Sequence, residues 1–307
     1  MLTNLNGFAR LLRFRSWVGW LAIFGFGSFI FGIPPLSNVL IVAFVFSCIT
    51  SAVFVQNQYF DKEIDKKNPQ KNMLPLATGE VSSKTSLVIM AILCGLGFGT
   101  LVFFNPYLIP IFLAYFALCS VYSTPILHLK GKPILDIIVA GIGSGVFPFI
   151  FGLLAANQLS LDILLPSVAK SYQYTFLCIL PLFLFQVASQ IFQEIRDFEA
   201  DMNDEIQTFV VRYGIKKSIK VATIMVFLAI SLPIIFGFLN LFYTNEFILW
   251  YMLVVIAIFP ILSQFVSLNK NPTKEKIEDL FKFSMKYTPV ILIIILLYIV
   301  VLRFYLT

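Results

Sequence analysis

Long apolar stretches alternate with short polar connections along the chain, and the stretches have the length that crosses a bilayer. Runs of about 20 residues with few charges mark such segments. Nine stand out, at 17–33, 36–57, 85–104, 106–122, 133–154, 173–193, 219–239, 247–268 and 287–304, with Asn105-Pro106 separating the third from the fourth. Arg10, Arg13 and Arg15 precede the first run as they would a signal peptide. That run is long, however, and ends in Gly32-Ile33-Pro34-Pro35 without a small-residue cleavage site, so it reads as the first helix. The pattern predicts an all-α, polytopic membrane protein of nine transmembrane helices. Pro110, Pro148, Pro181, Pro233, Pro260 and Pro289 fall inside the runs, where kinks are tolerated and shape cavities.

Composition agrees. Of 307 residues, 59% are hydrophobic and 12% charged, against about 45–50% and 25% in soluble chains. A soluble enzyme, a disordered tail protein and a disulfide scaffold are excluded. Cys48, Cys94, Cys119 and Cys178 are scattered singly and read as buried thiols.

The placement of charge changes the picture more than its scarcity does. The N-terminus and the loops 58–84, 123–132, 194–218 and 269–286, with Lys220 at the edge of its run, hold 20 of the 22 Lys and Arg. Counting Asp136 at the start of the fifth run, the same side holds 14 of the 16 acids. The positive-inside rule puts the N-terminus and these loops in the cytoplasm. The basic pI of 9.1 then reflects topology, and no nucleic-acid partner is expected. Acids on that side are not required by topology, so function is expected there.

Those acids form a repeated motif. The second run ends in Asn57-Gln58-Tyr59-Phe60-Asp61-Lys62-Glu63-Ile64-Asp65, and the sixth in Gln193-Glu194-Ile195-Arg196-Asp197-Phe198-Glu199-Ala200-Asp201. Superimposed, both read amide-x-x-x-Asp-x-Glu-x-Asp. An offset of four runs makes the repeat parallel, with a first copy over about 17–132, a second over about 133–268 and a ninth helix at 287–304, all in one domain over 1–307. Positions i, i+4 and i+8 share one helical face, so Asn57, Asp61 and Asp65 form one ladder and Gln193, Asp197 and Asp201 another. Like charges at i, i+4 repel, and a divalent cation removes the penalty. One or two carboxylate pairs suit Mg²⁺, which shares its shell with water and substrate phosphates. Two facing ladders would hold a diphosphate through bridging metal, with Glu63 and Glu199 facing elsewhere.

At these residues the sequence resembles the UbiA superfamily of intramembrane prenyltransferases. The resemblance extends over Asn68-Pro69-Gln70-Lys71, Pro75-Leu76-Ala77-Thr78-Gly79-Glu80-Val81-Ser82, Tyr122-Ser123-Thr124-Pro125, Lys130-Gly131-Lys132-Pro133 and Thr208-Phe209-Val210-Val211-Arg212-Tyr213-Gly214. It implies nine helices around a central cavity that opens laterally to lipid, with short helical loops capping the site. It implies that Asn57, Asp61, Asp65, Asp197 and Asp201 bind Mg²⁺–diphosphate and that Lys71 and Lys130 contact the diphosphate. Arg196 is a weaker candidate for that contact, being three positions from Gln193. Two departures stand out: Leu74 where many members have Arg, and Gln58 where many have Asp. The first of these, with Gly79-Glu80-Val81-Ser82 and the Lys130–Asp136 segment, is closer to the carotenoid-modifying, lycopene elongase-like branch than to the quinone-forming one.

The implied reaction ionises an allylic prenyl diphosphate and transfers the prenyl group to a hydrophobic acceptor, a quinone precursor, lipid or carotenoid, within membrane lipid. Mg²⁺ and Lys would neutralise the leaving oxygen, and a dry, aromatic cavity would protect the cation. Tyr115 and Tyr122, two turns apart, are candidate cavity residues, and Trp17 a candidate interfacial anchor. His128, alone in its loop, reads as solvated or headgroup-facing, and Asp136 as a helix N-terminal charge. The rivals are a transporter or ion pump using intramembrane carboxylates, and an isoprenoid diphosphate hydrolase or cyclase. No charged residue lies mid-span, which counts against the transporter.

Overall fold

A computed structural model describes residues 5–29, 34–156, 169–239, 241 and 260–306. All regular elements among them are helical: α1 (Leu5–Leu12), α2 (Phe14–Phe29), α3 (Leu36–Lys67), α4 (Pro75–Thr78), α5 (Ser83–Phe104), α6 (Ile109–Ser123), α7 (Leu135–Gly141), α8 (Phe147–Ala156), α9 (Ala169–Asn203), α10 (Phe209–Tyr213) and α11 (Ile215–Phe238). α12, described over 260–270, and α13 (Lys274–Leu306) complete the set. Among the described residues, six helical stretches are long and apolar enough to cross a membrane. The first and ninth predicted runs fall on α2 and α13, and the greater part of the eighth, 247–259, lies outside the described residues.

The apolar runs locate the spans but not their ends. α3 continues ten residues beyond its run, to Lys67, and α9 to Asn203. Both carry their acids on continuous helix. The fifth run divides into α7, a π turn at Ile142–Val146 and α8. The sequence there, Gly141-Ile142-Gly143-Ser144-Gly145, has weak helix formers that let the ladder widen.

A common series of elements follows both motif helices. α3 leads to the short α4, Gly79 at φ 80° and then α5; α9 leads to the short α10, Gly214 at φ 81° and then α11. Both glycines occupy the half of φ space that a side chain disfavours. Ser82 caps α5 by accepting from Thr85 N, and Thr208 caps α10 by accepting from Val211 N. α3 packs along α5, and α9 along α11.

Two cores flank the centre. One gathers Val42, Phe46, Ile49, Leu101, Phe112, Tyr115 and Phe151 from α3, α5, α6 and α8. The other gathers Val187, Ile191, Val210, Val226, Phe265, Leu268 and Leu280 around α9, α11, α12 and α13. α2 lies against α8 so closely that a Cβ on Gly152 would sit 1.8 Å from the Phe24 carbonyl oxygen. Small residues permit that backbone approach. The outward face of α5, with Val88, Ile92, Leu96, Phe103 and Phe104 exposed, suits lipid as solvent.

Trp17 corrects an expectation. It is buried against the protein instead of facing lipid, and its Nε1 donates to Leu12 O at 2.9 Å, where the chain breaks between α1 and α2 at Arg13 (φ 50°). The amphipathic α1 is tied to the loops above α3, because Arg10 pairs with Glu80 and Gln58 Nε2 donates to Leu11 O at 2.6 Å.

Candidate functional site

The motif ends of α3 and α9 border a cavity of about 370 Å³. Asn57 and Asp61 line it from α3, Gln193, Asp197 and Asp201 from α9, Gln70, Lys71 and Leu74 from the loop after α3, and Lys130 from the loop after α6. Asp61, Asp65, Asp197 and Asp201 are 3–7% exposed. Asp65 and Asp201 stand in the last turns of α3 and α9, where the macrodipole opposes negative charge. Buried acids so close together need positive charge beside them.

Three cations supply part of this. Lys130 Nζ lies 2.6 Å from Asp61 Oδ2, which also accepts from Asn57 Nδ2 at 2.9 Å. Lys71 Nζ lies 2.7 Å from Asp197 Oδ2, and Arg196 Nε 3.0 Å from Asp197 Oδ1. So the lysine after α3 holds the acid of α9, and the site is built across both halves of the chain. Burial disfavours the Lys130 charge, but Asp61, and then Asp201 and Asp65, outweigh it and raise its pKa above the ordinary lysine value.

Asp65 and Asp201 have no ion-pair partner within 4 Å among the described residues. Among those residues, no three His, Cys, Asp or Glu side chains converge into a ready metal cage. The carboxylates instead form two pairs on two helices, a donor set that suits an ion taking its remaining ligands from phosphate and water.

The predicted outward acids do face away. Glu63 is exposed and pairs with Lys66 at 2.8 Å, and Glu199 is exposed beside Lys274. Arg196 faces the cavity, its guanidinium 4.0 Å from the Phe281 ring centroid. Tyr122 lines the cavity, whereas Tyr115 is fully buried beneath it. His128 is half-buried at φ 42°, and burial followed by the Lys130 charge lowers its pKa. All four cysteines are free thiols.

Several contributors were not singled out in the sequence. Arg13 and Trp20 enter the cavity wall from α1–α2, with Arg13 5.3 Å above the Phe54 ring. Arg13 had looked topogenic among its neighbours. Asp136, fully buried at the start of α7, does serve a helix N-terminus as expected, and it serves a second one as well. Its Oδ1 accepts from Ile137 N at 2.7 Å and its Oδ2 from Phe209 N at 2.6 Å, so it also anchors α10. Glu194 accepts from Val210 N (3.3 Å) and Gln190 Nε2 (3.0 Å), while Gln190 Nε2 also donates to Tyr122 OH (3.2 Å). The spacing of Gln190 and Glu194 ahead of the second ladder was the available signal.

A family model described as the UbiA prenyltransferase family matches residues 17–304. A digeranylgeranylglyceryl phosphate synthase of Thermococcus sibiricus is 30% identical over 195 residues, 62% of this chain and 62% of that protein. That match therefore spans less than two thirds of the relative's length. A protein of the same name from Methanococcus maripaludis is 27% identical over 82% of this chain and 84% of its own. A 4-hydroxybenzoate octaprenyltransferase of Hydrogenovibrio crunogenus is 29% identical over 39% and 44% respectively. Among solved structures, a UbiA homolog from Archaeoglobus fulgidus bound to GPP and Mg²⁺ superposes with a TM-score of 0.69 at 20% identity, covering 94% of this chain and 99% of that one. The apo UbiA homolog from Aeropyrum pernix K1 gives 0.75 at 18% identity, over 93% and 98%.

Proposed function

Because the chain belongs to the UbiA prenyltransferase family, we propose that it is a Mg²⁺-dependent enzyme of the membrane that ionises an allylic prenyl diphosphate and passes the prenyl group to a lipophilic acceptor. The observation that carries this reading is the set of two buried acid pairs on α3 and α9, with Lys71 from the loop after α3 paired to Asp197 and Lys130 paired to Asp61. In this reading Asn57, Asp61, Asp65, Asp197 and Asp201 hold Mg²⁺. Bound there, the metal supplies positive charge to the departing diphosphate.

The chain's own residues do the rest. Lys71, Lys130 and Arg196 exchange their aspartate partners for diphosphate oxygens and stabilise the leaving group as its charge develops. In the free site Asp61 holds the Lys130 charge against burial and raises its pKa above the ordinary lysine value. Trp20, Phe54, Phe192, Phe265 and Phe281 line the cavity, exclude water and present π faces to an allylic cation. The N-terminus and the loops that carry the acids face the cytoplasm, and the two motif-bearing halves are parallel repeats.

A lipid acceptor is favoured over the carotenoid suggested by the branch resemblance, because relatives named as digeranylgeranylglyceryl phosphate synthases align over as much as 84% of their length. A decisive experiment offers purified protein, Mg²⁺, a series of prenyl diphosphates and candidate acceptors, with products read by mass spectrometry. A prenylated acceptor is expected. Diphosphate release to a free prenyl alcohol alone would instead assign a hydrolase. Carboxylate-dependent ion flux in liposomes without donor would assign a transporter.

A further inference from the structure

The two motif helices are not each other's main neighbours. α3 packs chiefly along α5, α6 and α8, and α9 along α7, the π turn and α11. Their acid-bearing ends border one cavity. The separation of the two acid pairs therefore depends on side chains that cross from one to the other. Lys71, in the loop after α3, reaches Asp197 Oδ2 at 2.7 Å. Lys67, the last residue of α3, reaches Asp204 Oδ1 at 2.6 Å. Asp204 N donates to Ala200 O at 3.0 Å, so the helical path runs one residue past Asn203. Asp197 and Asp204 are seven positions apart, which places them on one face. Asp201 stands between these two tied acids, and Asp65 stands two residues before Lys67.

The repeat sharpens the point. Three residues past the last Asp of each ladder stand Asn68 in the first half and Asp204 in the second. Asn68 serves its own turn: its Oδ1 accepts from Gln70 N at 2.9 Å and its carbonyl from Lys71 N at 2.9 Å. Asp204 serves the other half of the chain. Its Oδ1 accepts from Lys67, and its Oδ2 is buried without a hydrogen-bond partner. A carboxylate buried with a single partner is costly, and this one is kept with a partner from α3.

The two ties also differ in what happens to them. Lys71 lines the cavity, and on the prenyl-transfer reading it leaves Asp197 for diphosphate. The side chains of Lys67 and Asp204 are 70% and 6% exposed, and neither lines the cavity. Their pair is not dismantled when a donor arrives.

We propose that Lys67 and Asp204 are positioning residues whose pair holds the ends of α3 and α9, and with them Asp65 and Asp201, close enough to share one metal–diphosphate unit. The inference rests on the prenyl-transfer reading. Ionised Asp65 and Asp201 repel each other. With the tie broken the helix ends part, and more Mg²⁺ is needed to draw them together.

The test titrates Mg²⁺ against binding of geranyl thiolodiphosphate, an unreactive donor analogue, to the full chain in detergent. Lys67→Glu is expected to raise the Mg²⁺ midpoint at least about threefold, with binding at saturating Mg²⁺ retained. Lys66→Glu makes the same charge change one residue away, on an exposed side chain paired with Glu63, and is expected to leave the midpoint nearly unmoved. Lys67→Arg keeps the pair and is expected to match the unaltered protein. Lys67→Ala and Asp204→Asn are expected to act alike, and together no worse than either alone, as one shared interaction requires. Asp204 is buried and its variant is at risk of not folding, so the Lys67 series carries the decision. An unchanged midpoint in Lys67→Glu, or an equal rise in Lys66→Glu, would overturn the proposal. So would a lower melting temperature of the ion-free protein with no change in midpoint. If the unaltered protein binds no analogue at any Mg²⁺ concentration, the prenyl-transfer reading fails, and this inference with it.

Discussion

Asp65 and Asp201 are the side chains that most need something the protein alone does not supply. Both are almost wholly buried and neither has an ion-pair partner among the described residues, whereas Asp61 and Asp197 are each held by a lysine. An ionised carboxylate so placed is costly until a cation reaches it. Asp65→Asn and Asp201→Asn should therefore leave the thermal stability of the ion-free protein unchanged or higher. They should also erase most of the rise in melting temperature that Mg²⁺ with diphosphate gives the unaltered chain, as linkage requires of a lost ligand. A full Mg²⁺-induced shift in both variants would show that these acids do not hold metal. The ladders themselves were legible, because i, i+4 spacing is a direct statement about one helical face. Arg196 was harder to place: its position beside Asp197 turns it off the ladder, yet its long side chain reaches back to that carboxylate. Arg13 was hidden by Arg10 and Arg15, and only the left-handed backbone at the α1–α2 break brings it to the wall.

At the scale of elements, the short α10 depends on polar groups far away in sequence. Asp136 on α7 accepts from Phe209 N, and Thr208 caps the helix. Asp136→Ala would orphan two buried N–H groups, and each such loss costs about 1–3 kcal/mol. Thr208→Ala would cost about 1 kcal/mol. Thermal unfolding should show the first variant clearly less stable than the second, and equal stability of the two would remove Asp136 as the anchor. Close contact between α2 and α8 makes a separate prediction: Gly152→Leu cannot be accommodated without moving Phe24, and should reduce the yield of folded protein or lower its melting temperature by several degrees. Gly152→Leu with unaltered stability would mean that α2 does not seat there. Sequence periodicity anticipated the six spans found among the described residues, because lipid leaves a long apolar run. It did not anticipate where α3 and α9 end, since their final turns are polar and are held in the helix by packing and salt bridges. The π turn was likewise unreadable, as a Gly-rich stretch inside a span fits several backbone paths.

Across the whole molecule, the charges that the sequence pattern assigns to one side and the cavity belong to the same arrangement. Acids crowded at the ends of α3 and α9 are tolerable because cations from the α3–α4 and α6–α7 loops reach them, and aromatic side chains such as Trp20, Phe54 and Phe281 line the same cavity. The central claim is that the two acid pairs form one metal–diphosphate clamp. The most direct measurement is diphosphate release from a prenyl diphosphate as a function of Mg²⁺ concentration. It compares the unaltered protein, Asp61→Ala, Asp197→Ala and, as a control on an outward acid, Glu63→Gln. The clamp predicts that each aspartate variant loses at least about 100-fold in rate, with the Mg²⁺ dependence moved to higher concentration or abolished, while Glu63→Gln stays within about twofold, as surface substitutions do. Unchanged rate and Mg²⁺ dependence in both Asp61→Ala and Asp197→Ala would contradict it.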